Sequence, residues 1–257
     1  MENEHGKVLS SVKNALKILR AFKMNQPQKG VRELAAELGM GKSSVQRILA
    51  TLASEGFVTK DEETNKYELG VSVLELNSIV LGHLELHNEA MPIIKNLVEK
   101  CRETSHLTVF KDGEIIYLCK IESRDSTELE SHSGLHNYPH CTSSGKLLLA
   151  HDDPSHLEAL LKNELTKFTS KTIIDPTHFQ NELASIRKHG YSVSVGEYRD
   201  DITSVSAPIR DYMGKVIAAI NLVGPSNRIS KQRITYFATE LIQAGESISE
   251  KLGYRKR

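Results

Sequence analysis

The chain has 257 residues, enough for two domains, with 39% hydrophobic and 26% charged residues, an ordinary balance for a folded globular protein. It contains no run of about 18 apolar residues to span a membrane, its start MENEHGKVLS is too polar for a secretory signal, and three cysteines in no CxxC spacing fit a reducing cytoplasm better than a disulfide framework. The formal net charge of zero conceals a basic head: between His5 and Lys60 ten Lys or Arg face three acids, whereas from Val71 onward 22 basic residues meet 24 acidic ones, as when a nucleic-acid module is joined to something else.

Three short amphipathic helices are predicted first. One carries the stripe Val12, Ala15, Leu16, Leu19 and Phe22, with Ser10 or Ser11 as its N-cap. VRELAAEL places Val31, Leu34, Ala35 and Leu38 at helical spacing and stops at Gly39. After the turn Gly39-Met40-Gly41, the helix KSSVQRILATLASEG repeats that spacing with Val45, Ile48, Leu49 and Leu52. FVTK and KYEL then read as two strands around the polar turn DEETN. Helix, helix, tight turn, helix and hairpin is the order of a winged helix-turn-helix. With its apolar positions turned inward, the third helix presents Lys42, Ser43, Ser44, Gln46 and Arg47 near its N-terminus, where base edges and phosphates are met. Arg grips guanine O6/N7 with two bonds, and Gln does the same at adenine N6/N7. Lys60 and Lys66 flank the hairpin, placed for a wing to touch phosphate.

Residues 71–87 read as a linker helix with too many apolar positions for one stripe, so one face is expected to pack on the winged module and another on a second copy. The predicted division is therefore 1–70, a DNA-binding domain, 71–87, the linker helix, and 88–257, a sensor domain. In the last, a helix is predicted over Met91–Thr104 and a hairpin over LTVFKDGEIIYLCKI, turning at Asp112-Gly113. Asp153-Pro154 and Asp175-Pro176 open two helices, the second closed by Gly190. YSVSV, SVSAPIRD and KVIAAINLV are strands, and a long helix ending before Gly253 closes the chain. The fold class is α+β with a mainly antiparallel sheet flanked by helices.

Four segments in order, GMGKSSVQRILATLASEGFV, NKYELGVSVLEL, HCTSSGKLLLA and APIRDYMGKVIAAINLVGP, make the chain resemble the IclR family of bacterial transcription regulators over nearly its whole length. The resemblance implies a GAF-like effector domain, and homodimers or dimers of dimers that bind double-stranded operator DNA and a small organic effector. It implies an effector pocket under the loop-helix element, at Thr142, Ser143 and Ser144, and against the final strands, at Ser204, Asn221 and Val223. The start of a helix suits a ligand carboxylate. Glu197 keeps the acidic character of one family loop, whereas Ser194 and Val195 stand where acids are usual, Asp201 where glycine is common, and Ser204 where cysteine is common.

Enzymatic motifs are wanting. SSGK lacks the other P-loop residues, with His140 and Leu147 at the required glycine and Ser/Thr positions. No GxSxG elbow occurs, no GxGxxG follows a strand, and Cys119 sits in an apolar strand as a core residue. No cofactor and no catalytic residue are predicted. The rival expectation is a DNA-anchored metal-binding or enzymatic domain using His132, His136, His140 and Cys141, whose imidazole and thiolate groups are zinc ligands.

Overall fold

The computed structural model describes residues 9–83, 85–124 and 136–255. The chain folds as two compact units, residues 1–83 and 84–257. The first unit opens with α1 (Ser10–Ala21), α2 (Val31–Leu38) and α3 (Lys42–Ser54). A two-stranded antiparallel hairpin, β1 (Val58–Lys60) and β2 (Tyr67–Leu69), follows. The expected cap of α1 is corrected: Ser10 is already helical, and Leu9 stands at the N-cap without a side-chain bond. Gly39 closes α2 in the left-handed region at φ 63°, its N–H bonded to Ala35 O. A residue with a Cβ is strained there, so glycine makes the sharp exit into α3. Ile18, Leu34, Val45, Leu49, Val58 and Tyr67 form one core from all five elements. Beside it, the buried Lys29 ammonium pairs with the exposed carboxylate of Glu37.

The segment expected as a linker is helical over α4 (Ser72–His83), and α5 (Glu85–Cys101) begins the second unit. The helix expected over Met91–Thr104 thus starts earlier and ends at Cys101, because Thr104 is the first residue of a sheet strand.

Among the described residues that sheet has six strands: β3 (Thr104–Lys111), β4 (Glu114–Ile121), β5 (His136–Asn137), β6 (Ser192–Val195), β7 (Ile202–Arg210) and β8 (Val216–Pro225). Its order is β5-β4-β3-β8-β7-β6, antiparallel throughout. The chain between β5 and β6 forms α6 (Ser143–His151), α7 (Pro154–Leu161) and α8 (Pro176–His189), and α9 (Lys231–Lys251) closes the unit. Asp153 and Asp175 cap α7 and α8 through Ser155 N–H and His178 N–H, with proline next in each.

The two faces of the sheet differ in chemistry. Toward α5 and α9 it presents Leu107, Val205, Ala207, Ile209, Ala218, Ile220 and Leu222, all buried in one apolar core. The alternate positions, which the pleat turns the other way, are His106, Thr108, Ser192, Ser194, Ser204, Ser206 and Asn221, and these are buried as well. Helix α6 covers this polar face. Its own apolar residues Leu147, Leu148 and Leu149 pack against Ile115 and Ala219 at one end, together with Phe179 and Leu183 of α8.

Candidate functional site

Helix α3 carries out the division that its periodicity predicts. Val45 and Leu49 are fully buried, and Lys42, Ser43, Ser44, Gln46 and Arg47 are all exposed on the opposite side. Gly41 at the N-cap supplies no side-chain cap, so the positive helix end is open to a phosphate beside Lys42. The wing lysines are more engaged. Lys60 is 3.0 Å from Glu62 and Lys66 is 3.8 Å from Glu33, and both are half-buried. Pairs exposed to this degree are worth little and exchange readily.

In the second unit the polar sheet face and α6 share a run of hydrogen bonds. Asn221 Oδ1 accepts from the His106 backbone N–H at 2.9 Å and lies 3.0 Å from His106 Nδ1. An amide oxygen only accepts, so the ring proton is on Nδ1. Asn221 Nδ2 donates to Ser144 Oγ at 3.1 Å. Ser144 Oγ is 3.0 Å from Ser206 Oγ, which is 2.6 Å from Ser143 Oγ. Ser194 Oγ donates to Cys141 O at 3.1 Å. The run joins β3, β8, α6 and β7 under one helix N-terminus. Gly145 permits a close seat of α6 on the segment that precedes it: a Cβ there would lie 2.3 Å from Pro139 O. Thr142 is the N-cap, its Oγ1 accepting from Gly145 N–H at 3.2 Å, so its hydroxyl is spent on the helix. The Ser143 and Ser144 amides remain at the helix start.

Burial pushes the His106 imidazole down to about 4, against a pull upward from Asn221. The folded protein therefore keeps it neutral while the unfolded chain protonates near 6.5. Its contribution is complete above pH 6.5 and is lost as pH falls toward 4, about 3 kcal/mol in all. In urea unfolding, the stability gap between wild type and His106→Gln is expected to narrow by that order between pH 7 and pH 4. An unchanged gap would contradict a neutral buried His106.

One turn into α6, the buried Lys146 ammonium sits between Glu197 Oε1 at 2.6 Å and Glu182 Oε1 at 2.9 Å. Burial raises the Glu197 carboxyl and Lys146 opposes that rise. Thr172 Oγ1 donates to Glu197 O at 2.6 Å, fixing the loop that carries it. Tyr138, Phe168 and Tyr198 gather from three loops, with ring centroids 4.7 and 5.0 Å apart in succession. A cavity of about 320 Å³ opens beside this segment, lined by Asn137, Tyr138, His140, Asn163 and Thr166 among others, and not by the hydroxyl run.

The structure therefore brings Ser143, Ser144 and Asn221 together, places Ser204 and Val223 opposite one another on β7 and β8, and holds Glu197 on Lys146. It leaves Asp201 at the surface, paired with Arg199 at 3.0 Å. His106, Ser192 and Ser206 share this buried polar face with the expected residues although motif and spacing do not single them out, and Lys146, within the loop-helix segment, joins it through Glu197. The signal that could have found the strand residues among them is alternation: polar residues at every second position of strands whose other positions are apolar. Of the rival histidine–cysteine cluster, His132 lies outside the described residues, as does the side chain of His136. His140 Nε2 is 2.8 Å from Thr166 O, and burial pushes the Cys141 thiol up to about 12, which leaves it protonated. Among the described residues no three His, Cys, Asp or Glu side chains are grouped to hold a metal ion, and no helix is long and apolar enough to cross a membrane.

Comparison with known proteins assigns both halves. Residues 11–62 match the IclR helix-turn-helix domain, and residues 78–250, well over half of the chain, match the bacterial transcriptional regulator IclR C-terminal domain. The chain belongs to the IclR family. Among curated IclR-type relatives, the transcriptional regulator KdgR of Escherichia coli (strain K12) is 30% identical over 96% of this chain and 94% of its own length. An IclR transcriptional regulator from Silicibacter sp. TM1040 superimposes with a TM-score of 0.83 at 27% identity, covering 96% and 98% of the two chains. An IclR homologue from Microbacterium hydrocarbonoxydans, solved with 4-hydroxybenzoate, shares the fold with a TM-score of 0.84 at 23% identity over 95% and 99%. As an IclR-family transcriptional regulator, the chain has its DNA-binding helix-turn-helix in the unit that contains α3.

Proposed function

We propose that this regulator binds an operator as a homodimer through α3 and the wing, and that a small metabolite bound under α6 changes that binding. The observation that carries the ligand half is the buried polar face of the sheet. A face serving stability alone would be filled with apolar side chains, because each buried polar group must be satisfied to avoid a penalty. The favoured effector is an organic or sugar acid, its carboxylate near the Ser143 and Ser144 amides at the start of α6. Thr142, Ser204 and Glu197 bound the same site. The 4-hydroxybenzoate complex of the Microbacterium homologue supports the class. The reading requires no catalytic residue and no cofactor, and it places the protein in the cytoplasm with its DNA.

Apolar side chains exposed on two helices of the first unit support a dimer: Val12 and Leu16 on α1 are 53% and 51% exposed, and Leu76 and Ile79 on α4 are 52% and 60%. Such a surface marks a protein contact, and a second copy would supply the paired half-sites that such readers need. Further exposed apolar side chains, Leu74 on α4 among them, leave area for dimers to pair into tetramers.

Arg47 is the residue to test on the DNA side. Arg47→Ala is expected to cost about 1–3 kcal/mol of operator affinity and to relax sequence preference at one base pair, measured by fluorescence anisotropy on a selected site. Unchanged affinity and preference would place Arg47 off the interface and overturn the assigned reading face.

A further inference from the structure

Two polar atoms on this side of the sheet are buried with no hydrogen-bond partner, Ser192 Oγ on β6 and Glu197 Oε2 on the loop that follows. The neighbouring Ser194 hydroxyl helps to lower the Glu197 carboxyl but donates its proton to Cys141 O at 3.1 Å. Ser192 is 1% exposed and Glu197 is 7% exposed. Folded proteins keep few such groups, since each loses its water without replacement. Their chemistry specifies what would complete them. An ionised carboxylate oxygen only accepts, so Glu197 Oε2 needs a donor. A serine hydroxyl takes either role. Ser194, between them in sequence and turned to the same face, is about 6–7 Å along the strand from Ser192, and Ser192 is paired in register with Ser206 of the hydroxyl run.

Charge narrows the class further. Lys146 already pairs with Glu197 at 2.6 Å, and the second carboxylate on it, Glu182 at 2.9 Å, is partly solvated. An ammonium ligand at the buried Oε2 would therefore lose its water for a carboxylate that already has a counter-ion. A carboxylate against Glu197 Oε2 would set two acceptors and two negative charges face to face. A neutral alcohol suits the position, and any acid group of the ligand belongs at the other end, by the Ser143 and Ser144 amides.

We infer that Glu197 and Ser192 are hydroxyl-recognising residues, and that the ligand is a polyhydroxylated carbon chain, a polyol or its acid. Keto acids and unsubstituted acids of the same length bind less well. The inference rests on the effector reading above and adds the ligand's hydrogen-bonding pattern to it. It assigns Ser192, which neither motif nor family pattern singled out, to the binding site.

The test uses the full chain in thermal-shift and calorimetric titrations with matched pairs: gluconate against hexanoate, glycerate against pyruvate, and xylitol against 1,5-pentanediol. The more hydroxylated member of at least one pair should bind about tenfold tighter or better. Ser192→Ala should leave the ligand-free melting temperature unchanged or raised, because it removes an unsatisfied group, while weakening the hydroxylated ligand about tenfold. A purely structural serine would instead lower the melting temperature and leave affinity alone. If the less hydroxylated members bind equally well, or Ser192→Ala leaves affinity intact, the inference is overturned and the effector reading stands. If no compound of either kind binds at millimolar concentration, both fall.

Discussion

Replacing Lys146 by methionine is expected to cost about 3–5 kcal/mol of stability in the second unit, the cost of breaking a buried ion pair from one side. Methionine fills nearly the same volume, so the loss is electrostatic. Glu197, 7% exposed, would keep a buried carboxylate with neither oxygen paired to the ammonium. Glu182, with its side chain 29% exposed, would recover water and contribute little. The loss should depend on pH in a defined direction. Burial already raises the Glu197 carboxyl in the folded protein, and without Lys146 it rises further. A carboxyl raised on folding contributes stability at low pH that is lost as pH climbs through its folded value. Lys146→Met should therefore be less destabilising at pH 5 than at pH 8. Adding Glu197→Leu should recover most of the loss at pH 8, because an apolar pair of similar volume replaces an ionic one with little net change. Urea unfolding of the two variants at both pH values decides it. Equal losses at both, with no recovery in the double variant, would mean that the pair is not buried as described.

Gly145→Ala is the second large effect. The added methyl would meet Pro139 O at 2.3 Å, Pro139 Cα at 2.5 Å and Pro139 C at 2.7 Å. All three are backbone atoms, so no side chain can turn aside. Either α6 or the segment before it must shift, and overpacking of this kind costs about 3 kcal/mol. Since Ser143 and Ser144 belong to the first turn of the same helix, ligand response should fall with stability. Gly113→Ala is the control. Gly113 has φ 84° but nothing within 4 Å of an added Cβ, so only conformational strain of about 1 kcal/mol is expected, with ligand response intact. Similar losses in both variants would show that the contact with Pro139 has no special weight.

The reader unit is nearly all legible in the sequence. Val45, Ile48, Leu49 and Leu52 state the buried side of α3, and Gly39 states its turn, because a helix of that size has one core to face. The start of α1 is not legible in the same way, since serine is a good cap only when the chain enters the helix there, and the helix instead runs one residue further toward Leu9. In the sensor unit, strands and capped helices are readable from Asp-Pro pairs and glycine turns. The site is readable only in part. Alternating polar residues such as Ser204 and Ser206 normally face water, and nothing local says that α6 will bury them. Lys146 and Glu197 are 51 residues apart, and their pairing depends on where α6 lands. The resemblance to a known family located the loop-helix element; the hydrogen-bond run through His106 and Ser206 emerges only once the chain is folded.

The central claim is that a ligand in the second unit governs DNA binding by the first, which requires the ligand to favour one DNA-binding arrangement over another. The direct measurement is anisotropy of a labelled duplex from the region upstream of the protein's own coding sequence, titrated with the full chain with and without the hydroxylated acids and polyols named above. Binding at low salt that weakens steeply as salt rises, with an affinity that changes several-fold when a ligand is added, is the predicted result. No binding at low salt in either condition, or binding that no stabilising ligand alters, would contradict it.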